Sequence, residues 1–408
     1  TFDSVFDATG AAPAAGHMKL GPADTYHSRP SAVTPAFATS TVDNSVAFSY
    51  GTFDDPANQP SVIDVLLTVT VSDQPFADGL FLTNQVHESD GSTNGAQHDD
   101  DAIVQVKVTE PVLQVKKGVI GSSHAGATLT PATAGPVAFS APGSAGPRWS
   151  GTINSADLAT MPVDSNISGV DAGDRVSFAI VVENTGASQR GAFDVTITDT
   201  IPLGLIIPPS GAGLNMRVTY GDGTPLTFIG LTNGAGAAGD LFTTGIRLDD
   251  PALIGACQKY DPNNGHNIIV ITYDLQVDPS APAGTIIPNR AAITNYASLE
   301  GGPNFVPTDT PTDSATTTIA APAVAKQLVN TSIVSSSNSN TQAVIGELVT
   351  YSLTITVPEG LTQNAQIVDT LDAGLAFVDV TSVTSSASVS MSTPIGVGSA
   401  PANASIGA

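Results

Sequence analysis

The chain has little that would cross-link it or carry it into a membrane. Only one of its 408 residues, Cys257, is a cysteine, which excludes an intrachain disulfide and a cysteine metal cluster. Lysine and arginine number 13 against 37 acidic residues, so the net charge is −24. A field of that sign repels nucleic-acid phosphates and anionic lipid headgroups. No apolar run reaches the roughly 18 residues of a membrane-spanning helix. The sequence therefore predicts neither nucleic-acid binding nor membrane insertion.

Helical periodicity is also scarce, and alternation of apolar and polar residues takes its place. Segments 176–182, 195–198 and 269–277 alternate with the period of two that is typical of strands. Turn-forming residues, including 39 glycines and 29 prolines, separate such segments. Short strands with these turns predict an all-β protein made of tandem Ig-like β-sandwich modules.

Three sequence patterns recur and mark internal repeats. The first is a strand that ends in lysine, and the second joins a Gly-acid-x-Val-Ser/Thr-aromatic strand to an Asp-Thr turn. The third is a strand, a Gly turn and an asparagine strand. The first pattern occurs at 113–117 and 323–326, the second at 173–205 and 346–375, and the third at 273–289 and 67–84. Only the middle copy has all three, so the flanking copies are predicted to be incomplete.

These patterns predict three segments. Residues 1–110 represent the back half of a sandwich, residues 111–321 a complete module, and residues 322–408 a front half. The complete module carries an insertion at about 121–165 around Trp149, which either packs on the module or forms an intersubunit contact.

Each partial segment lacks what the other contains. An unfinished sandwich exposes apolar surface and open strand edges. We therefore predict that the front half of one copy pairs with the back half of the next, head to tail. The alternative is a piece of a longer repetitive protein whose own flanks complete both halves. The start at Thr1 rather than Met predicts a mature or excised piece.

A lysine, an aspartate and an asparagine fall on strand faces that are otherwise apolar. Because alternate side chains of a strand share a face, Lys117, Asp199 and Asn289 are each expected to point inward. The partial copies repeat the arrangement with three equivalent residues: Lys326, Asp369 and Asn84. Buried polar groups are costly unless they are paired, so the three groups are expected to meet.

Burial together gives these groups a specific chemistry. Desolvation lowers the pKa of a lysine and raises that of an aspartate, which leaves a neutral, nucleophilic amine. A protonated Asp199 would hydrogen-bond the carboxamide oxygen of Asn289, and attack by Lys117 would release ammonia and leave an isopeptide bond. The plain alternative is a buried ion pair that needs no reaction. A register slip of one residue would turn Lys116 inward instead.

These segments resemble the conserved repeat domain of large bacterial surface proteins. The resemblance rests on the lysine strand, on residues 173–180, on the turn at 199–205 and on the closing strand at 289–291. Residues 369–375 and 84–86 match less faithfully. Members of the family often carry isopeptide-forming modules of the fimbrial type. The resemblance implies an Ig-like sandwich and a role on a cell surface or appendage, and it names no ligand.

An acidic cluster near residue 90 is a candidate Ca²⁺ site. Its members are expected around a loop rich in Gly, Ser and Thr: Glu88, Asp90, Asn94, Asp99, Asp100 and Asp101. Oxygen ligands on a flexible loop suit Ca²⁺, although the spacing is not that of an EF-hand. A solvated acidic loop is the plain alternative. The middle copy has sparser equivalents, which are Glu300, Asn304, Asp309 and Asp313.

The sequence predicts a structural protein rather than an enzyme. The six histidines are scattered, and neither a zinc-binding HExxH nor a Gly-x-Ser-x-Gly elbow occurs. We expect an extracellular subunit of a filament, fimbria or surface layer, with other copies of itself as partners and no required cofactor. The alternative is the stalk or ligand-binding segment of a large cell-surface adhesin, for which calcium dependence and surface glycans would be expected.

Overall fold

The computed structural model of the chain consists almost entirely of strands. It describes residues 2–3, 36–51, 66–67, 69–71, 77–91, 95–251, 253–306, 309–333, 335, 338–339, 341–362, 365–390 and 398–399. Its helical elements are a single turn α1 (Ser155–Leu158) and a 3₁₀ segment (Ala238–Phe242). The prediction of an all-β protein is confirmed.

The chain divides into two compact units, residues 1–74 and residues 75–408. The described strands of the first unit are β1 (Phe2–Asp3), β2 (Ala36–Ser40), β3 (Ser45–Ser49) and β4 (Leu66–Leu67). Strand β1 pairs with β4, and β2 pairs with β3, both antiparallel. The second unit begins with a long antiparallel hairpin of β5 (Phe81–Gly91) and β6 (Gln97–Lys107).

Two large sheets follow in the second unit, and all their strands lie between residues 113 and 319. The strands are β7 (Leu113–Ser122), β8 (Thr128–Thr130), β9 (Asn166–Val170), β10 (Arg175–Asn184), β11 (Phe193–Asp199), β12 (Leu205–Ile206), β13 (Arg217–Tyr220), β14 (Phe228–Gly230), β15 (Gly234–Ala235), β16 (Ile246–Leu248), β17 (Ile268–Val277), β18 (Ile286–Ala297) and β19 (Thr312–Ile319). The smaller sheet has the order β12-β17-β10-β7, with β13 also paired to β17. The larger sheet has the order β15-β14-β16-β11-β18-β19-β9-β8, and within it only the pair β19–β9 is parallel.

One hydrophobic core lies between these two sheets. Val176, Phe178 and Ile180 of the smaller sheet share it with Ile287 and Ile293 of the larger sheet. Because side chains alternate along a strand, the other face of β10 points away from this core. The arrangement is a β-sandwich, and the predicted strands at 176–182, 195–198 and 269–277 are confirmed as parts of β10, β11 and β17.

The insertion covers the outer face of the smaller sheet. Trp149, Ile153 and Val163 form a second buried cluster with Ala179 and Val181 of β10. Trp149 thus packs on its own module, as the first of the two alternatives predicted. A third layer of chain over the sheet explains why β10 is apolar on both faces.

A buried ion pair fastens this outer layer. Arg148 of the insertion donates to Asp274 of β17 over 2.7 Å, and both side chains are shielded from solvent. The same carboxylate accepts from Ser177, Asn215 and the backbone N–H of Gly143. A charge so desolvated must keep its partner, because breaking a buried pair leaves an unpaired ion.

We expect Arg148→Met to lower the free energy of unfolding by about 3 kcal/mol, the lower end of the range for a broken buried pair, since other donors still reach Asp274. Urea unfolding measures the change. The control is Arg290→Met, because Arg290 is exposed, and we expect it to change stability by about 0.5 kcal/mol at most. Equal effects of the two variants would contradict this role of Arg148.

The chain after the sandwich forms small separate sheets. Strand β20 (Ala323–Thr331) pairs with β21 (Val349–Thr356), and β22 (Asp379–Val380) pairs with β23 (Gly398–Ser399). The side chains of β20 and β21 are mostly exposed on both faces. Unlike the sandwich, this described part encloses no core of its own. Among the described residues, no helix is long and apolar enough to cross a membrane.

Candidate functional site

A lysine–aspartate pair lies buried between the two sheets. Lys117 of β7 donates from Nζ to both carboxylate oxygens of Asp199 at the end of β11, over 2.7 and 2.6 Å. Neither side chain is exposed to solvent. Lys116 is exposed, so the predicted register holds and the one-residue slip does not occur.

A tyrosine that the sequence did not single out connects this pair to Asn289. Tyr273 of β17 donates its hydroxyl hydrogen to Asp199 Oδ2, and Asn289 Nδ2 donates to the Tyr273 oxygen over 2.9 Å. All four groups are buried. The expected direct hydrogen bond from Asp199 to the carboxamide oxygen is therefore wrong, because the phenol occupies the space between. The Asn289 Oδ1 atom has no hydrogen-bond partner among the described residues.

Two aromatic rings form the wall of the site. Phe178 and Tyr273 stack with their centroids 5.5 Å apart, and Lys117 Nζ lies 5.6 and 5.5 Å from the two ring centres. The two residues are cross-strand partners on β10 and β17. The rings stabilise a cation weakly, and they keep water from both the amine and the carboxyl group.

Burial shifts the protonation equilibria toward uncharged partners. Desolvation lowers the pKa of Lys117 to about 8, against the opposing attraction of Asp199. Desolvation likewise raises the pKa of Asp199, although Lys117 and Tyr273 act in the opposite direction. Burial, followed by the charge of Asp199, raises the pKa of Tyr273 well above its usual range. Both shifts favour the uncharged forms, a neutral amine beside a carboxylic acid.

The sequence did contain a signal for Tyr273. This residue alternates with Leu275 and Val277 on an otherwise apolar strand face, and all three are buried. A buried tyrosine hydroxyl usually needs a hydrogen-bond partner. A tyrosine in that position therefore belongs with the polar residues that were expected to meet inside the sandwich.

The C-terminal copy repeats the lysine half of this site. Lys326 Nζ donates to Asp369 over 2.7 and 2.8 Å and lies 4.5 Å from the ring centre of Tyr351. Here the lysine and the aspartate are each about one-third exposed. The predicted pairing of Lys326 with Asp369 is confirmed, but in an open setting.

Strand register shows that the two lysine strands are structurally equivalent. Lys117 faces Ile180 and Lys326 faces Leu353, and each aromatic residue stands two positions before that partner. Each pair of strands also skips one residue three positions after the lysine, at Ile120 in one copy and at 329 in the other. A shared β-bulge fixes the same local twist, so the repeat inferred from the sequence extends to backbone geometry.

The N-terminal copy carries the asparagine on an exposed hairpin. Asn84 lies on β5 opposite Val104, as Asn289 lies on β18 opposite Ala315. The turn before each asparagine strand contains a glycine with φ near +80°, which only glycine adopts freely: Gly79 at +80° and Gly284 at +75°. Among its described contacts Lys326 has Asp369 and Tyr351, and Asn84 of the same chain is not one of them.

The acidic residues expected on a loop lie instead on the two strands of this hairpin. Register pairs Glu88 with Asp100, and Asp90 with His98, on one face. Asp99 and Asp101 point to the other face, where His87 Nδ1 lies 2.9 Å from Asp101. The loop interpretation is wrong because the alternation continues past residue 88, and it separates the carboxylates between two faces. Asn94 lies outside the described residues.

Potential metal-ligating groups converge elsewhere in the described part of the chain. One group is His124 with Asp171 and Asp174, and the other is Asp194 with Asp250 and Glu300. Glu300, an expected counterpart of the acidic cluster, thus belongs to the second group. Partners within the protein already hold both groups, since His124 lies 3.0 Å from Asp174 and Arg247 lies 3.2 Å from Asp194.

No protein-family model matches the sequence, and no curated protein is significantly similar to it. Among solved structures, the chain overlaps with BcpA, the major pilin subunit of Bacillus cereus, at 9% identity and a TM-score of 0.27, covering 59% of this chain and 49% of that one. It overlaps with the T6 backbone pilin of serotype M6 Streptococcus pyogenes at 13% identity and a TM-score of 0.25, covering 63% and 48%. A third is the pilus backbone protein RrgB of Streptococcus pneumoniae, at 14% identity and a TM-score of 0.22, covering 47% and 43%.

The chain thus spans about half the length of the first two of these structures. TM-scores this low establish no relationship. The resemblance to the repeat domain of bacterial surface proteins remains an expectation from the motifs.

Proposed function

We propose that the chain is the structural subunit of an extracellular filament, fimbria or surface layer, in which copies join head to tail through their half modules. One observation carries the proposal. In the complete module two strand faces bury each other. The equivalent faces of the two partial modules are exposed. The complete module therefore serves as a template for how the two halves fit together.

The front half presents the face that would receive a partner. Leu353, on β21, is 42% exposed, whereas the equivalent Ile180 in the complete module is fully buried. Tyr351 and Ile355 share its face and are likewise exposed, while Phe178 is fully buried. Exposed apolar faces of this kind are costly in water and mark interaction surfaces.

The back half presents the complementary face. Val104, opposite Asn84, is 65% exposed, whereas Ala315, opposite Asn289, is fully buried. Val86 and Val106 lie on the same face and are also exposed. Pairing the two faces would bury apolar surface worth about 25 cal/mol per Å². A contact between unlike surfaces of identical subunits does not close, so it generates a fibre.

A lysine and an asparagine would join the strands of a module covalently, with an aspartate as the proton acceptor, and the residues of the complete module illustrate the reaction. With its proton transferred to Asp199, the Lys117 amine attacks the carboxamide carbon of Asn289. The new N–C bond forms, the bond from that carbon to Nδ2 breaks, and Nδ2 leaves as ammonia. The exchange consumes no oxidant, reductant or cofactor, and the product is an amide between the two side chains.

Tyr273 supports this reaction on the side of the leaving group. Its hydroxyl lies 2.9 Å from Asn289 Nδ2 and also contacts Asp199, which itself contacts the amine. The proton lost by the amine can therefore reach the departing nitrogen through Asp199 and the phenol. General acid catalysis requires this hydrogen-bond reach between the acid and the leaving atom.

A mixing experiment tests the assembly and the bond together. The donor chain carries Asn84→Ala and keeps Lys326, and the acceptor chain carries Lys326→Ala and keeps Asn84. Each alone lacks one half of the intermolecular site, so we expect a single covalent dimer only after mixing, seen on a denaturing gel and by intact mass. Mixing two donor chains provides the matched control.

The absence of a covalent dimer, together with chains that stay separate by size-exclusion chromatography, would contradict the proposal. It would favour a segment of a longer protein whose own flanking repeats complete both halves.

The alternative function, an adhesin stalk or ligand-binding segment that depends on Ca²⁺, has its own test at the acidic hairpin. Limited proteolysis of residues 77–107 is compared with added Ca²⁺ and with a chelator. Protection that the chelator removes would support a site that includes Glu88 and Asp100. Identical digestion under both conditions would identify the hairpin as a solvated acidic surface.

A further inference from the structure

We infer that Tyr351 supplies, at the site formed between two copies, the bridging hydroxyl that Tyr273 supplies within the complete module. This inference rests on the proposed head-to-tail function. It assigns a role to a residue that stands at the position of a phenylalanine, Phe178, in the complete module.

The complete site holds one phenol on a pair of neighbouring rings. Tyr273 carries it, and its direct cross-strand partner Phe178 carries none. The two rings stack and lie at nearly equal distances, 5.5 and 5.6 Å, from the amine of Lys117. Both rings therefore line the same wall of the site.

The front half carries its tyrosine at the other of these two positions. The register of β20 and β21 puts Tyr351 where Phe178 stands, two residues before the partner of the lysine. By sequence, residues 67–71 repeat the alternation of 273–277, and Leu67 aligns with Tyr273. The N-terminal copy therefore has no tyrosine at that position of the pattern.

Tyr351 is the only tyrosine of the front half, residues 322–408, and the hairpin that carries Asn84 contains none. Its ring already contacts the pair, since Lys326 Nζ lies 4.5 Å from the ring centre. Closing the site with Asn84 of a neighbouring copy would place the phenol against the carboxamide and Asp369, completing the proton path to the leaving nitrogen.

The mixing experiment separates this role from simple packing, because covalent coupling and non-covalent association are measured separately. The donor chain additionally carries Tyr351→Phe, which keeps the ring and removes the hydroxyl. We expect covalent coupling to slow by about 100-fold, the lower end of the range for a lost proton-transfer group. Non-covalent association, measured by chromatography at early times, is expected to stay unchanged.

A matched variant provides the control. Tyr260→Phe in the donor chain removes a hydroxyl from an exposed tyrosine of the complete module, and we expect it to leave the coupling rate unchanged. Coupling that is unaffected by Tyr351→Phe would overturn the inference, and so would an equal loss of rate with Tyr260→Phe. If the donor and acceptor chains with Tyr351 intact do not couple, the proposed function itself fails.

Discussion

The unaltered chain, boiled in detergent, is expected to run as a ladder of multimers, and Lys326→Ala is expected to collapse that ladder to a single band. The reason is that the substitution removes the only amine of the intermolecular site. The apolar faces around it remain, so negative-stain microscopy of the native variant should still show fibres. A denaturing gel and micrographs of the same sample measure both effects.

A neighbouring lysine supplies the control for this experiment. Lys116 is exposed and takes no part in either site, so Lys116→Ala should leave the ladder intact. A second variant, Asn84→Ala, should collapse the ladder from the other side of the contact. A soluble monomer with both half modules folded by themselves would refute head-to-tail assembly altogether.

In the Lys326→Ala variant only the intramolecular bond can form. The intact mass of this variant is expected to be lower than the mass calculated from its sequence by one molecule of ammonia. Adding Lys117→Met should restore the full mass of that sequence. The bond closes a loop from residue 117 to residue 289, and loops longer than about 100 residues give a cross-link worth about 5 kcal/mol. At about 2–4 °C per kcal/mol for a domain of this size, the melting temperature should fall by about 10–20 °C.

Two further variants separate the bond from the ion pair. Asn289→Ala removes the bond and keeps the Lys117–Asp199 contact, so it should restore full mass while leaving the buried charges paired. Lys116→Met should keep the mass deficit. A native chain of unmodified mass would leave Lys117 and Asp199 as an ordinary buried ion pair.

Much of the fold followed from residue alternation alone. The period of two predicted β10, β11 and β17. Alternation along β7 correctly predicted that Lys117 points inward and Lys116 points outward. The repeated lysine strand correctly predicted a second contact, between Lys326 and Asp369. Local patterns succeed here because each concerns the two faces of one strand, which the sequence fixes residue by residue.

Contacts between distant elements were harder to predict. The position of Tyr273 between Asp199 and Asn289 depends on how two sheets pack, and alternation within one strand does not contain that information. Arg148 reaches Asp274, 126 residues away, for the same reason. The strands of the acidic hairpin were not predicted for a different reason. Polar residues on both of its faces hide the alternation that identifies a strand.

The outer layer of the complete module has a consequence for the appearance of a fibre. Residues 121–165 thicken that module on one side, and β21 of the front half has polar residues, Thr350, Ser352 and Thr354, at the positions that the layer would cover. Each subunit would therefore add one wide bead and one narrow bead. Averaged images should show this alternation of width along the axis, with a ridge on one side of every second bead.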